Sequence, residues 1–255
     1  MSRTGTTGSS TPADAPGRIP ADPGNPGALQ ASAGSVPPGV PPAAAAGVLR
    51  PGGLVDLRAA GGRAPAVLSY PAGSVVVVSG LPGSGKSTLL RRWSAAAPAV
   101  DPRAAHERWQ ARMPDRLPYA FYRPCARLDH FLRIRAAVRS GEPVLVHDCG
   151  SRAWMRRWLA REAGRRGHEL HLILLDVGTA QALEGQRARG RWVGRRTFTR
   201  HEHGLGRLLR LLDGAVRHGD GTGAVPPEVA EAASLVLLGT TTREEVSGLE
   251  FRPGP

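Results

Sequence analysis

Apolar residues along this chain form short runs that alternate with amphipathic stretches. Four consecutive valines lie within residues 74–79, and such a run is typical of a strand buried on both faces of a parallel sheet. Further apolar runs predict strands at residues 97–100, 143–148, 169–175 and 234–238.

Stretches with helical periodicity follow most of these strands. They predict helices at about residues 86–97, 126–139, 151–166, 179–189 and 205–216. Residues 102–124 contain four prolines, which predict an irregular segment or a broken helix. The alternation predicts an α/β protein with a three-layer, doubly wound fold and a five-stranded parallel sheet.

The two ends of the chain differ from this middle part. More than half of residues 1–50 are Gly, Pro or Ala, and no aromatic residue precedes Tyr70. Such a segment buries too little apolar surface to offset the entropy of ordering, so we expect a disordered tail there. We expect an irregular lead-in at residues 51–70, the domain at residues 71–245 and a short tail at residues 246–255.

Composition limits the classes of protein that the chain can belong to. Hydrophobic residues make up 41% of the chain, enough for a globular core. Cys125 and Cys149 lack the spacing of a zinc site or a disulfide framework. The sequence also lacks a membrane-length apolar run and the pattern of a signal peptide. We therefore expect a cytoplasmic protein, a monomer or dimer, without a membrane partner.

The formal net charge is +13, which raises the question of nucleic-acid binding. Lys86 is the only lysine among the 34 basic residues. This preference for arginine, together with abundant Ala, Gly and Pro, is typical of GC-rich coding, so nucleic acid is a possible but not a favoured partner. The single lysine stands where a compact ammonium group is needed between phosphate oxygens.

The motif GxxxxGK[ST] is complete between the valine strand and the following helix. Its glycines let backbone N–H groups point at phosphates, Lys86 is expected to reach the β- and γ-phosphates, and the Ser87 hydroxyl is expected to bind Mg²⁺. We therefore predict ATP and Mg²⁺ as ligands. The predicted contacts are Gly80, Leu81, Pro82, Gly83, Ser84, Gly85, Lys86, Ser87 and Thr88.

Two classes of P-loop protein do not match this sequence. GTPases read guanine with an Asn/Thr-Lys-x-Asp segment, and the chain has no second lysine to build one. Motor ATPases usually end an acidic strand in Asp-Glu, whereas Asp148 is followed by Cys149 and Asp176 by Val177. Neither strand therefore supplies the glutamate with which a dedicated ATPase activates water.

A small kinase needs a carboxylate beside the acceptor hydroxyl, a carboxylate near the metal, and arginines that meet the transferred phosphate. Asp101 follows the second strand and Asp148 ends the third, at the sheet edge where ligands bind. Arginines crowd residues 187–196. Each group has a plainer interpretation: Asp101 opens a turn, Asp148 caps a helix, and the arginines form a solvated surface.

The blocks at residues 75–88 (VVVVSGLPGSGKST), 144–152 (VLVHDCGSR) and 172–191 (LILLDVGTAQALEGQRARGR) resemble the adenylate-kinase-like P-loop kinases. The similarity is to the AAA-type ATP-binding proteins grouped with zeta toxins, gluconate kinases and polynucleotide kinases. It implies the P-loop NTPase fold, a role for Asp101 as the base for the substrate hydroxyl, and a contact of Arg103 with a substrate phosphate or with the acceptor. It also implies that Arg187 lies near ATP, and that Arg191 or Arg195 is the lid arginine.

Three functions follow as alternatives. The leading hypothesis is a kinase that moves the γ-phosphate of ATP to a hydroxyl of a small molecule, with Lys86, Asp101, Asp148, Arg187, Arg191 and Arg195 as catalytic residues and Ser87 and Asp148 at the metal. The others are an ATP-binding regulatory switch and a nucleic-acid 5′-kinase. The sequence does not identify the acceptor.

Overall fold

The valine-rich strand is an inner strand, third in order, of a seven-stranded sheet in the computed structural model of the chain. The structure describes residues 47–60, 64–114, 116–147, 152–190, 193–216 and 222–253. The predicted tail up to residue 46, Asp148 and Arg191 lie outside the described residues.

Within these described residues, ten strands form two sheets. The order of the large sheet is β5-β6-β4-β7-β9-β2-β8, and that of the small sheet is β1-β3-β10. The strands are β1 Val48–Leu49, β2 Gly53–Asp56, β3 Val67–Pro71, β4 Val75–Gly80, β5 Ala99–Val100, β6 Val144–His147, β7 Leu170–Leu175, β8 Thr222–Gly223, β9 Ser234–Leu238 and β10 Gly248–Arg252.

The five predicted strands are β4, β5, β6, β7 and β9, and they are adjacent and parallel in the large sheet. The α/β fold with a mainly parallel sheet is thus confirmed. The strand count is larger than expected, because β2 adds to β9 in parallel and β8 closes that edge in the antiparallel direction.

The expected lead-in at residues 51–70 and the tail at residues 246–255 differ from the structure. β2 and β3 occupy the first segment, and β10 occupies the second. β10 pairs with β3 from Gly248↔Val67 to Arg252↔Pro71. This pairing joins segments about 180 residues apart, and local sequence pattern does not reveal such a partner.

Seven helices cross between the strands of the described part: α1 Lys86–Arg92, α2 Pro102–Arg112, α3 Tyr119–Ser140, α4 Ala153–Gly164, α5 Thr179–Arg187, α6 Arg195–Asp213 and α7 Thr242–Glu245. α1 ends at Arg92 and not near residue 97, α7 was not predicted, and two helices start well before the predicted residue. α3 starts seven residues early and includes Pro124, because buried Tyr122 and Ala126 pack its first turns. α6 starts ten residues early and includes the arginine-rich segment.

The sheet has a core on each face because β4 alternates its side chains between them. Val75 and Val77 pack on one face with side chains of α3, α4 and α6. Val76 and Val78 pack on the other with α1 and the small sheet, through residues such as Trp93 and Tyr70. The layers leave the carboxyl edge of the strands, where the loops collect, available for a site. Among the described residues no helix is long and apolar enough to cross a membrane.

Candidate functional site

The phosphate-binding loop connects β4 to α1 at the carboxyl edge of the sheet. Gly83 and Gly85 have φ of 92° and 97°, a region that residues with a Cβ rarely adopt. The Lys86 side chain is only 7% exposed. Its Nζ donates to the carbonyl oxygens of Gly80 at 2.8 Å and Leu81 at 2.7 Å. The single ammonium group is therefore held inside the loop.

Helix α5 supports this loop by direct backbone contact. A Cβ on Gly83 would lie 1.9 Å from the Ala182 carbonyl oxygen, and a Cβ on Gly185 would lie 2.3 Å from the Gly83 carbonyl oxygen. Gln186 is buried, and its Nε2 donates to the Pro82 carbonyl oxygen at 3.2 Å. Its Oε1 accepts from the Val193 N–H at 2.9 Å. Gln186 thus joins the phosphate loop to the segment that leads into α6.

Arg243 is a second support of the loop. Its guanidinium donates to the Ser84 carbonyl oxygen. Arg243 belongs to α7, which follows β9 at the same edge of the sheet. The sequence analysis did not identify Gly185, Gln186 or Arg243 as parts of the site. Gly185 and Gln186 lie inside a block used for the family resemblance, whereas no sequence signal pointed to Arg243.

A first cleft of about 580 Å³ opens beside the loop. Side chains and backbone of the loop, α1, α5 and α7 line it: Gly83, Gly85, Thr88, Leu89, Arg92, Gln181, Glu184, Gly185, Ala188, Arg189, Arg243 and Glu244. Its volume falls in the usual range of small-molecule sites.

A second cleft of about 380 Å³ lies at Ser87. Asp101 and Arg189 also line it, together with Arg91 and Arg103. Residues from α1, the start of α2 and the end of α5 thus converge here. Arg189 lines both clefts, and its guanidinium donates to Thr88 Oγ1 at 2.9 Å.

Asp101 is the N-cap of α2, and its Oδ1 accepts from the Arg103 N–H at 2.9 Å. The same Oδ1 lies 3.0 Å from His147 Nδ1. Burial alone would raise the pKa of Asp101, but the hydrogen bond and charge of His147, with a smaller contribution from Arg103, lower its pKa overall. The carboxylate therefore stays ionised at neutral pH.

His147 makes this contact with Asp101 from the neighbouring strand. It is half-buried at the end of β6. β5 pairs with β6 in the register Val100↔Val146, so the next residues, Asp101 and His147, meet at the sheet edge.

The predicted arginines are distributed unevenly. Arg187 ends α5 and Arg195 begins α6; both are exposed and line neither cleft. Within the arginine-rich segment, Arg189 donates to Thr88 Oγ1 near the start of α1. The roles assigned to Arg187, Arg191 and Arg195 stay predictions, as does that of Asp148.

The loop suits the phosphates of a magnesium nucleotide. Ser84 Oγ is fully buried within it and has no hydrogen-bond partner among the described residues. Ser87 offers a hydroxyl oxygen at the second cleft, and oxygen is the donor that Mg²⁺ prefers. The described part of the chain contains no cluster of three or more His, Cys, Asp or Glu side chains that could hold a metal ion by itself.

Several solved structures align with the chain at low sequence identity and low TM-score. A tunicamycin resistance protein of Deinococcus radiodurans aligns at 17% identity and a TM-score of 0.38, covering 60% of this chain and 99% of that one. A gluconokinase of Sinorhizobium meliloti aligns at 21% and 0.34, covering 64% and 91%. The PezAT toxin–antitoxin system of Streptococcus pneumoniae aligns at 14% and 0.34, covering 47% and 52%. At these values none of the three is evidence for a function.

No curated protein matches the chain. The family model AAA_33, described as an AAA domain, matches residues 75–212, from β4 through most of α6. The match includes the phosphate loop, Asp101 and Arg189, and spans just over half of the 255 residues. The chain belongs to this AAA domain family.

Proposed function

We propose that the chain is an ATP-dependent phosphotransferase that moves the γ-phosphoryl group of ATP to a hydroxyl group of a small molecule. One observation carries the proposal: the second cleft brings together Ser87 of the phosphate loop, the ionised carboxylate of Asp101 and the guanidinium of Arg189. A hydroxyl bound at Asp101 would lie next to a γ-phosphate held by the loop.

The two clefts suit the two substrates. The first cleft borders the glycines of the loop and offers apolar surface from Leu89 and Ala188, which suits the nucleoside of ATP. The second cleft is smaller and polar, which suits the acceptor. Arg189 lines both, so its charge would lie where the phosphoryl group passes from one substrate to the other.

The phosphate loop would hold ATP through its backbone N–H groups and Lys86. In this arrangement the Lys86 ammonium would exchange a carbonyl contact for phosphate oxygens. Mg²⁺ would come with ATP, held by the Ser87 hydroxyl and by the predicted ligand Asp148, and would neutralise charge on the β- and γ-phosphates.

Asp101 would orient the acceptor. Both of its described contacts use Oδ1, so Oδ2 is the oxygen assigned to the acceptor hydroxyl. A bond forms between the hydroxyl oxygen and the γ-phosphorus, while the bond from that phosphorus to the β–γ bridging oxygen breaks and ADP leaves. The hydroxyl proton passes to Asp101 and then to solvent. Because the transition state of phosphoryl transfer is loose, a carboxylate with a lowered pKa suffices.

Asp101→Asn tests this assignment. Asn is as good an N-cap as Asp, so α2 is expected to stay intact. We expect the affinity for ATP to stay near wild type and acceptor-dependent ADP formation to fall by roughly 10²- to 10⁴-fold. Glu107→Gln, the same chemical change at an exposed position of α2, is the control.

The measurement combines calorimetric titration with Mg-ADP and a coupled assay of ADP release over a panel of hydroxylated compounds. Wild-type ADP formation by Asp101→Asn would exclude Asp101 as the group that orients the acceptor. If no compound raises ADP release by the wild-type protein while Mg-ADP binds, the regulatory switch replaces the kinase as the better hypothesis.

A further inference from the structure

The second cleft contains an unusual set of charges for its size. Among the described residues, its lining consists of three arginines, one aspartate and one serine: Arg91, Arg103, Arg189, Asp101 and Ser87. At neutral pH this described lining has a net charge of about +2. A concave surface of one sign concentrates the opposite charge, so this cleft attracts anions.

The three arginines come from different elements, so no single helix face accounts for them. Arg91 lies near the end of α1, where its Nε donates to the Ser87 carbonyl oxygen at 3.3 Å. Arg103 lies in the first turn of α2, two residues after Asp101. Arg189 follows α5. Tertiary packing brings these three arginines to one cleft.

Arg189 also lines the first cleft, so part of its charge belongs to the nucleotide side. Arg91 and Arg103 line only the second cleft. Their two positive charges exceed the single negative charge of Asp101, whose Oδ1 already has partners. A net positive charge therefore remains in the second cleft, where it can pair with a negative charge on the acceptor.

The chemistry of the guanidinium group narrows the ligand further. Arginine donates hydrogen bonds and accepts none, and its planar fork pairs with two oxygens of a carboxylate or phosphate. A neutral polyol both donates and accepts, so it is matched by mixed linings of amides, carboxylates and hydroxyls. A lining dominated by guanidinium groups matches an oxyanion.

We propose that the acceptor is an anionic hydroxy compound, one that carries a carboxylate or a phosphate besides the hydroxyl to be phosphorylated. Arg103 and Arg91 bind the oxyanion, and Asp101 receives the hydroxyl. The cleft volume, about 380 Å³, equals that of roughly a dozen water molecules, so the acceptor is a small metabolite. This inference rests on the proposed function and names the substrate class of the same site.

The experiment first saturates the full chain with Mg²⁺ and the non-hydrolysable nucleotide AMPPNP, which occupies the phosphate loop. Inorganic phosphate is then titrated at constant ionic strength, and binding is followed by calorimetry. We expect the dissociation constant for phosphate to rise by roughly ten- to a hundred-fold in Arg103→Gln and in Arg91→Gln. Arg112→Gln removes the same charge from an exposed position at the far end of α2 and is expected to leave it unchanged.

A second arm compares glycerol, glycerate and glycerol 3-phosphate as probes of the nucleotide-saturated protein. The two anions are expected to bind in an Arg103-dependent manner, and the stronger of them identifies carboxylate or phosphate as the preferred group. Equal phosphate affinity in wild type and Arg103→Gln, or binding of glycerol as tight as that of both anions, would overturn the anionic acceptor. Failure of AMPPNP itself to bind would instead overturn the proposed function, and the first titration detects that separately.

Discussion

The contact between Gly185 and the phosphate loop gives a sharp prediction. Gly185 lies inside α5, and a Cβ there would stand 2.3 Å from the Gly83 carbonyl oxygen, whereas ordinary contact begins near 3.4 Å. In Gly185→Ala the helix and the loop must therefore separate by about 1 Å. Buried Ala182 and Gln186 anchor the helix, so we expect the loop to move.

A displacement of about 1 Å at a catalytic site can lower the rate roughly 10²-fold. We therefore expect Gly185→Ala to lower kcat/KM by about that factor and to weaken nucleotide binding. Its free energy of unfolding combines opposite effects: alanine favours the helix by roughly 0.5–1 kcal/mol, and the steric conflict costs about 1–3 kcal/mol.

Gly164→Ala is the matched control, because Gly164 is also helical but a Cβ there meets nothing within 4 Å. We expect it to gain stability of roughly 0.5–1 kcal/mol and to bind nucleotide as wild type does. Urea denaturation and calorimetric titration with Mg-ADP measure both quantities. If Gly185→Ala matched Gly164→Ala in stability and bound Mg-ADP within twofold of wild type, the proposed support of the loop by α5 would be refuted.

Three further predictions concern single groups. Lys86→Met is expected to weaken Mg-ATP binding by about 3 kcal/mol while circular dichroism stays native, because the ammonium serves phosphate; unchanged affinity would refute the role of Lys86. Alanine at Arg187, Arg191 or Arg195 is expected to lower kcat and leave the free energy of unfolding unchanged, since a lid arginine meets phosphate only during turnover. Wild-type kcat in all three variants would exclude them as lid arginines and leave Arg189 as the candidate from this segment. Burial lowers the pKa of His171 to about 4 from 6.5, so the unfolded chain binds more protons between these values and stability rises with pH there, by roughly 3 kcal/mol in total. Urea denaturation across this window should show the rise, and a pH profile identical in His171→Phe would exclude His171 as its source.

The central part of the fold could be predicted because it depends on local pattern. The four valines of β4, the glycine loop and α1 are consecutive in the chain, and burial on both sheet faces explains their composition. The strands β6, β7 and β9 are apolar runs of the same kind. The choice of Lys86 and Ser87 followed equally from a motif in which spacing alone sets the geometry.

The outer strands could not be predicted in this way. β2 and β10 are short and of mixed composition, and they are strands because β9 and β3 pair with them. A strand of four or five residues is stabilised by its partners, and its own propensity contributes little. The boundaries of α3 and α6 were missed for a similar reason, since buried Tyr122 and Phe198 hold turns that the local sequence disfavours.

By itself the sequence determined a P-loop α/β domain and predicted one lysine for phosphate, because each is encoded within a single stretch of chain. The tertiary structure decided which side chains share the second cleft. Asp101 meets His147 because β5 and β6 pair in one register, and it shares the second cleft with Ser87 and Arg189 because the start of α1 and the end of α5 both lie there. The tertiary structure also places Arg189, of the arginines in that segment, beside Thr88. This follows because Gly83 packs closely on α5 and so brings the end of that helix to Thr88. Contacts between segments so far apart in the chain arise only when the strands pair and the helices pack on them.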